Sequence, residues 1–151
     1  MALGQAQIHD EALAHLLSNT GAQWDDGTAN FAFILLDNAY TPSDVHNDYQ
    51  DVSANECADG DYAAIACATR AFVQSGADTY LDSGDADFGN PVTIAARYLM
   101  CIQGNSASLG ATDKIIFRVD LDDGGSANVS STSSTFKITA PTNGWLKFNQ
   151  A

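Results

Sequence analysis

Phe31-Ala-Phe-Ile-Leu-Leu36, followed by Asp37-Asn-Ala-Tyr-Thr-Pro42, is the stretch on which the fold of this chain turns. Every residue from Phe31 to Leu36 is apolar, so a strand here is greasy on both of its alternating faces. Such a strand belongs in the middle of a sheet, with packed layers above and below. Six residues are too few for an independent helix, and Asp37-Asn38 supplies a stop. Thr41-Pro42 then has the form of a helix entry, with Thr41 as cap and Pro42 where its missing N–H costs nothing. A short helix of roughly two turns is predicted over Ser43 to Gln50.

Working outward, residues 4 to 18 read as an amphipathic helix. Ile8, Ala12, Leu13, Leu16 and Leu17 fall at helical spacing, with Asp10 and Glu11 early, where the helix dipole favours them. Ser18-Asn19-Thr20-Gly21 supplies its end, so residues 1–21 form a helical segment packed on the chain's own sheet or an arm docked on a neighbour. Trp24-Asp25-Asp26-Gly27 is a turn that delivers the chain to the central strand. Tyr62 to Gln74 is a further candidate strand, although its alanines also suit a helix.

Ser75 to Asn90 is acidic and turn-rich and reads as a solvated loop. Asp82, Asp85 and Asp87 only superficially resemble a calcium loop, because the full spacing and the closing Glu are missing. Val92 to Gln103 reads as one strand, with Ile94, Ala96, Tyr98, Met100 and Ile102 on one face. Arg97 falls on the other, mostly apolar face, where it needs a carboxylate partner or a route to solvent.

Beyond the polar loop Gly104 to Asp113, Lys114 to Leu121 alternates cleanly, Ile115, Phe117, Val119 and Leu121 inward and Ile116 outward. Asp122-Asp123-Gly124-Gly125 turns the chain without needing an ion. Near the end, Phe136, Ile138 and Ala140 share a strand face. Pro141-Thr142-Asn143-Gly144 turns, and Trp145 to Phe148 returns with Trp145 opposite the core face.

The chain has 151 residues, enough for a single β-rich domain that buries about two-thirds of its unfolded surface. A formal charge of −13 with no cluster among its six basic residues argues against direct contact with nucleic acid. Cys57, Cys67 and Cys101 form neither a disulfide framework nor a Cys-x-x-Cys knuckle. No apolar run approaches the ~20 residues that span a bilayer, and no secretory leader is expected from Met-Ala-Leu-Gly. Production in a reducing cytoplasm fits these features. Signatures of phosphate loops, nucleophile elbows and zinc proteases are absent, and His9, His15 and His46 are spaced apart. No catalytic residue, cofactor or metal ligand is assigned.

One set of features does carry a resemblance: the aliphatic strand into Tyr40-Thr41-Pro42, His46, Asp51-Val-Ser-Ala-Asn-Glu56 and Gly60-Asp61-Tyr62. Asp85-Ala-Asp-Phe88, Ala96-Arg-Tyr98, Val119-Asp-Leu121 and Asn143-Gly-Trp145 extend it. From Phe31 onward the chain resembles small virion structural proteins of tailed bacteriophages. In those, the Gly-Tyr pair lacks the residue inserted here as Asp61.

That resemblance implies a non-enzymatic capsid decoration (cement) protein on the outer shell, bridging major capsid subunits, and a homo-oligomer for which a trimer is the expectation. The fold expected is mainly β: an antiparallel sandwich or flattened barrel of roughly six to eight strands, with an N-terminal helix and one short helix. Leu3, Ile8, Trp24 and Trp145 are the candidate partner-contact residues. The alternatives are a tail- or fibre-associated virion protein and a carbohydrate-binding β-sandwich module whose exposed tryptophans and tyrosines stack on sugar.

Overall fold

The structure, a computed structural model, describes residues 3–9, 11–17, 23–25, 27 and 30–149. The chain is mainly β, and its strand pairs are all antiparallel. In order the elements are β1 (Gln7–Ile8), α1 (Ala12–Leu17), β2 (Ala32–Leu36), β3 (Ile65–Ala66), β4 (Ala71–Ser75) and β5 (Asp78–Asp82). There follow β6 (Ala86–Asp87), β7 (Val92–Ala96), β8 (Tyr98–Gln103), β9 (Lys114–Asp120), β10 (Val129–Ser134), β11 (Lys137–Ile138) and β12 (Leu146–Asn149). They form a five-stranded sheet, β1-β9-β8-β2-β3, a three-stranded sheet, β12-β5-β4, and the pairs β10-β7 and β11-β6.

β2 lies inside the large sheet between β8 and β3, and its five residues are all buried. Both of its faces are covered, as its unbroken apolar run demands. On one face Phe33 and Leu35 join Leu99, Cys101, Phe117 and Val119 in a core closed by residues of the smaller sheets, among them Leu81, Ile94, Phe136 and Leu146. On the other, Ile34 and Leu36 pack with Met100, Ile102 and Ile115 beneath Tyr40 and Val52. This layering of sheets over a shared core is sandwich-like.

The lid over the second face replaces the helix expected at Ser43–Gln50. The chain makes a turn at Asp44–Val45 and then two 3-10 turns, Tyr49–Asp51 and Ser53–Asn55. A helix is pre-empted because the amides it needs are used elsewhere. Tyr49 N–H donates to Asp113 O (2.8 Å), Gln50 N–H to Ala111 O (3.0 Å), and those of Asn47 and Asp48 to Asp51 Oδ2 (3.0 Å each). Glu56 fastens the lid, accepting from Tyr49 Oη at 2.6 Å and Tyr62 Oη at 2.5 Å.

Burial, then the Glu56 contact, pushes the Tyr49 phenol up to about 12, and the same causes raise Tyr62. Because the folded-state values are raised, these phenols stabilise fully below about pH 10 and lose that contribution as pH climbs past it. Glu56→Ala removes two charge-assisted bonds and is expected to cost about 2–3 kcal/mol, read as a lowered denaturation midpoint at neutral pH.

The N-terminal helix is shorter than predicted. Residues 4–9 are extended along β9, with Gly4 N–H on Asp120 O (2.8 Å), Gln7 opposite Arg118, Ile8 opposite Phe117 and His9 N–H on Ile116 O (3.1 Å). The edge of β9 offers backbone partners between Ile116 and Asp120 there, more than an isolated half-helix can supply. Among the described residues of this segment Ala12–Leu17 is helical, with Ala12 and Leu16 buried one turn apart. The expected terminator Ser18–Gly21 lies outside the described residues, as do Asp10 and Asp26.

Other strands are shorter or re-partnered. Tyr62–Gln74 splits into β3 and β4, which belong to different sheets, and Ser75–Asn90 is not a loop but holds β5 and β6. Val92–Gln103 breaks at Arg97 into β7 and β8, because the chain changes sheets there. The break shifts the phase, so Ile94 and Ala96 share a core with Leu99 and Cys101 while Tyr98, Met100 and Ile102 face the lid.

A bulge at Ile116 does the same within β9: Cys101 opposes Phe117 but Ile102 opposes Ile115. Ile115 therefore faces the lid, and Ile116 joins Phe117 in the larger core. The Asn143–Gly144 turn is present, but it does not close a hairpin: β11 pairs with β6 and β12 with β5.

Candidate functional site

The extended N-terminal segment and β12 border an apolar groove of about 910 Å³. Leu3, Ile8 and Leu13 line one side and Pro141 and Phe148 the other, over Val119 and Trp145. Backbone register places the first wall. Gly4 sits so close to β9 that a Cβ there would stand 3.2 Å from Asp120 Cβ and carbonyl O. That contact holds Leu3 at the rim, and the pairing of Ile8 with Phe117 holds Ile8 beside it. Leu3, Ile8 and Leu13 stay 39%, 37% and 41% exposed. Lys147 is the one charged residue lining the groove among those described, and it is tied to Asp78 at 2.7 Å.

Of the four residues expected to contact a partner, Leu3 and Ile8 therefore lie together on this groove. The two tryptophans do not stand on the surface. Trp24 is fully buried, its ring 5.0 Å from that of Phe31 and its Nε1–H donating to Asp82 O (2.9 Å). Trp145 is also buried and forms the groove floor, stacked on Phe117 (5.9 Å) and against Phe33 (5.4 Å), with Nε1–H on Ser83 Oγ (2.8 Å).

The correction follows from strand pairing. A hairpin with β11 would have turned Trp145 outward, whereas pairing with β5 turns it between the sheets. The sugar-stacking platform that the carbohydrate-binding alternative needed from these two rings is thereby lost.

A smaller polar hollow of about 440 Å³ lies on the other side of the N-terminal strand, where Gln5, Gln7, Pro42, Tyr98, Arg118 and Asp123 meet. Arg118 donates to Gln7 Oε1. Near it Arg97, buried as a charge on an apolar face must be only when paired, makes a two-pronged contact with Asp120, Nε to Oδ1 and Nη2 to Oδ2, both 2.7 Å. Nη2 also donates to Gly125 O (2.8 Å). The Arg97 hydrogen bonds hold the Asp120 carboxyl below its ordinary range against the opposing effect of burial. Of the two outcomes expected for Arg97, a carboxylate partner or a route to solvent, the fold supplies the carboxylate, in a structural pair.

Several carboxylates of the two acidic segments are engaged within the fold. Among the described residues no three His, Cys, Asp or Glu side chains are grouped to hold a metal ion. Asp82 accepts from Ser83 N–H (2.9 Å), Asp85 pairs with Lys137 (2.7 Å) and Asp87 accepts from Gly89 N–H (3.0 Å). In the second acidic turn Asp122 accepts from Ala127 N–H (3.1 Å).

Cys57, Cys67 and Cys101 are free and buried. Burial first, and then the charges of Asp59, Asp37 and Glu56, push the Cys57 thiol up to about 12, and burial raises Cys101 well above its ordinary value. Both stay protonated thiols at neutral pH and are poor nucleophiles. His46 Nδ1 lies 3.2 Å from Tyr40 Oη, inside the lid.

The residue pattern gave no sign of two contacts that matter here. One is the Tyr49–Glu56–Tyr62 clasp. The other is a pair of carboxylates, Asp59 and Asp61, that accept from Ala95 N–H and Thr93 N–H of β7 at 2.8 Å each. Both join segments that only the finished fold brings together. No described helix is long and apolar enough to cross a membrane. No family model, curated protein or solved structure matches the chain.

Proposed function

We propose that this chain is a non-enzymatic structural protein of a tailed-phage virion, a decoration protein that bridges major capsid subunits on the outer face of the shell. The observation that carries this reading is the groove: about 910 Å³, walled by exposed Leu3, Ile8 and Leu13, with its one lysine already neutralised. A surface of that kind suits an apolar segment of another protein better than a polar substrate. The charge of −13 disfavours the DNA-filled interior and favours the exterior. The residue pattern from Phe31 onward, resembling small phage virion proteins, supplies the setting.

In this role the groove closes over an apolar segment of the capsid protein. Burial of each exposed groove side chain contributes about 1–2 kcal/mol, and linkage then raises the stability of the joined capsid subunits. Shells lacking the protein, mixed with wild-type chain or with a Leu3→Asp/Ile8→Asp variant, test it. The variant is expected to bind at least about tenfold more weakly, corresponding to about 1.4 kcal/mol, while keeping the wild-type melting midpoint because both residues are exposed. Equal binding by variant and wild type, or binding to isolated tails and not to shells, contradicts the proposal.

A further inference from the structure

The three-stranded sheet ends on β4, and among the described residues nothing pairs with its outer edge. β4 pairs with β5 from Ala71 opposite Asp82 to Ser75 opposite Asp78, and no described strand lies on its other side. Phe72 and Val73 are 43% and 40% exposed and, as neighbours in a strand, point to opposite faces. Two other strands have their outer sides occupied. The outer side of β9 is occupied by residues 4–9, and β7 has amides of its ladder taken by Asp59 and Asp61. β4, Ala-Phe-Val-Gln-Ser, has no lysine, proline or bulge to block pairing, and it carries no charge in a chain of net −13.

We propose that β4 pairs antiparallel with β4 of a second copy about a two-fold axis through Val73. The joined sheet then runs β12-β5-β4-β4-β5-β12 across the dimer. This register sets Val73 against Val73, Phe72 against Gln74 and Ala71 against Ser75, so no like charges face each other. Arg70 before the strand is held by carbonyls of its own chain and Asp78 beyond the turn is paired with Lys147 at 2.7 Å, so the flanks set no unpaired like charges against each other across the axis.

A second copy is an occupant for which strand shape and register match, and the uncharged β4 edge is where two chains of net −13 can meet without opposing like charges. The pairing is independent of the virion reading, and it removes β4 from any threefold contact. A ladder of this length falls at the small end of specific interfaces, below about 1,200 Å², so association at roughly micromolar concentration is expected.

Sedimentation equilibrium of the full chain tests the pairing. The expected result is a mass twice 15.9 kDa for wild type and 15.9 kDa for Val73→Lys, with unchanged circular dichroism. Should Val73→Lys fail to fold, Val73→Cys carries the test. Diamide is expected to link it into covalent dimers across the axis, while Phe72→Cys, which faces Gln74, and the wild type, whose cysteines are buried, stay unlinked. A monomeric or trimeric wild type, a dimer that survives Val73→Lys, or Val73→Cys that does not link overturns the proposal. So does an edge that is filled only by a different protein.

Discussion

Trp145→Ala is expected to destabilise the chain by about 4 kcal/mol, lowering the thermal midpoint by roughly 8–16 °C. The ring is 4% exposed and wedged between Phe33 of β2 and Phe117 of β9, while its strand belongs to the opposing sheet. Its removal opens a cavity where the two layers meet and strips the buried Ser83 hydroxyl of its donor. Neighbouring backbone cannot easily collapse into the space, because Gly144 N–H is bonded to Pro141 O and Trp145 N–H to Leu81 O at 2.7 Å. Trp145→Phe keeps most of the volume and loses chiefly the hydrogen bond, so about 1–2 kcal/mol is expected. Thermal or urea denaturation followed by circular dichroism measures both. A midpoint for Trp145→Ala within about 1 °C of wild type would mean that the ring stands on the surface.

The second large effect belongs to Arg97. Arg97→Ala leaves Asp120 without its two-pronged partner at the corner where β7 passes to β8, and a loss of about 3 kcal/mol is expected. The corner itself persists, since Arg97 N–H donates to Leu36 O (2.7 Å) and Leu121 N–H to Arg97 O (2.9 Å). The double change Arg97→Met/Asp120→Leu removes both charges together and is expected to be milder than Arg97→Ala alone.

The pH dependence has a definite sign. Asp120 has a folded-state value depressed below the unfolded one, chiefly by the Arg97 hydrogen bonds. Its contribution is therefore fully present above about pH 4 and is lost as pH falls through the depressed value. The gap in unfolding free energy between wild type and the double variant should shift against wild type on going from neutral pH to acid. A gap that does not change with pH would deny the pair its role.

These two residues also mark how far the sequence could be read. The unbroken apolar run Phe31–Leu36 was legible because only a strand covered on both faces tolerates it, and β2 is that strand. The need of Arg97 for a carboxylate was legible from the cost of an unpaired buried charge, although its partner, 23 residues away, was not. What failed was phase. A period of two assumes a continuous ladder, and the corner at Arg97 and the bulge at Ile116 each move the following side chains to the other face.

Trp145 and Leu146 are both buried because the partner of β12 is β5, a strand that Asp78 and Asp82 disguise as an acidic loop. Residues 4–9 followed a helical spacing, yet they pair with β9 because backbone partners were available at its edge. The groove was half legible, since Leu3 and Ile8 were chosen as contact residues but Leu13, Pro141 and Phe148 were not. Its second wall exists only through the pairing of β12 with β5.

The claim that this chain acts by pressing an apolar surface against other copies of protein in a shell is tested most directly by counting. Quantitative mass spectrometry of purified particles, with tails and shells separated, gives its ratio to the major capsid protein. The expected result is a fixed ratio on shells that repeats from one preparation to the next and falls in particles built with Leu3→Asp/Ile8→Asp. A chain found only in the infected-cell extract, or only in the tail fraction, would contradict it.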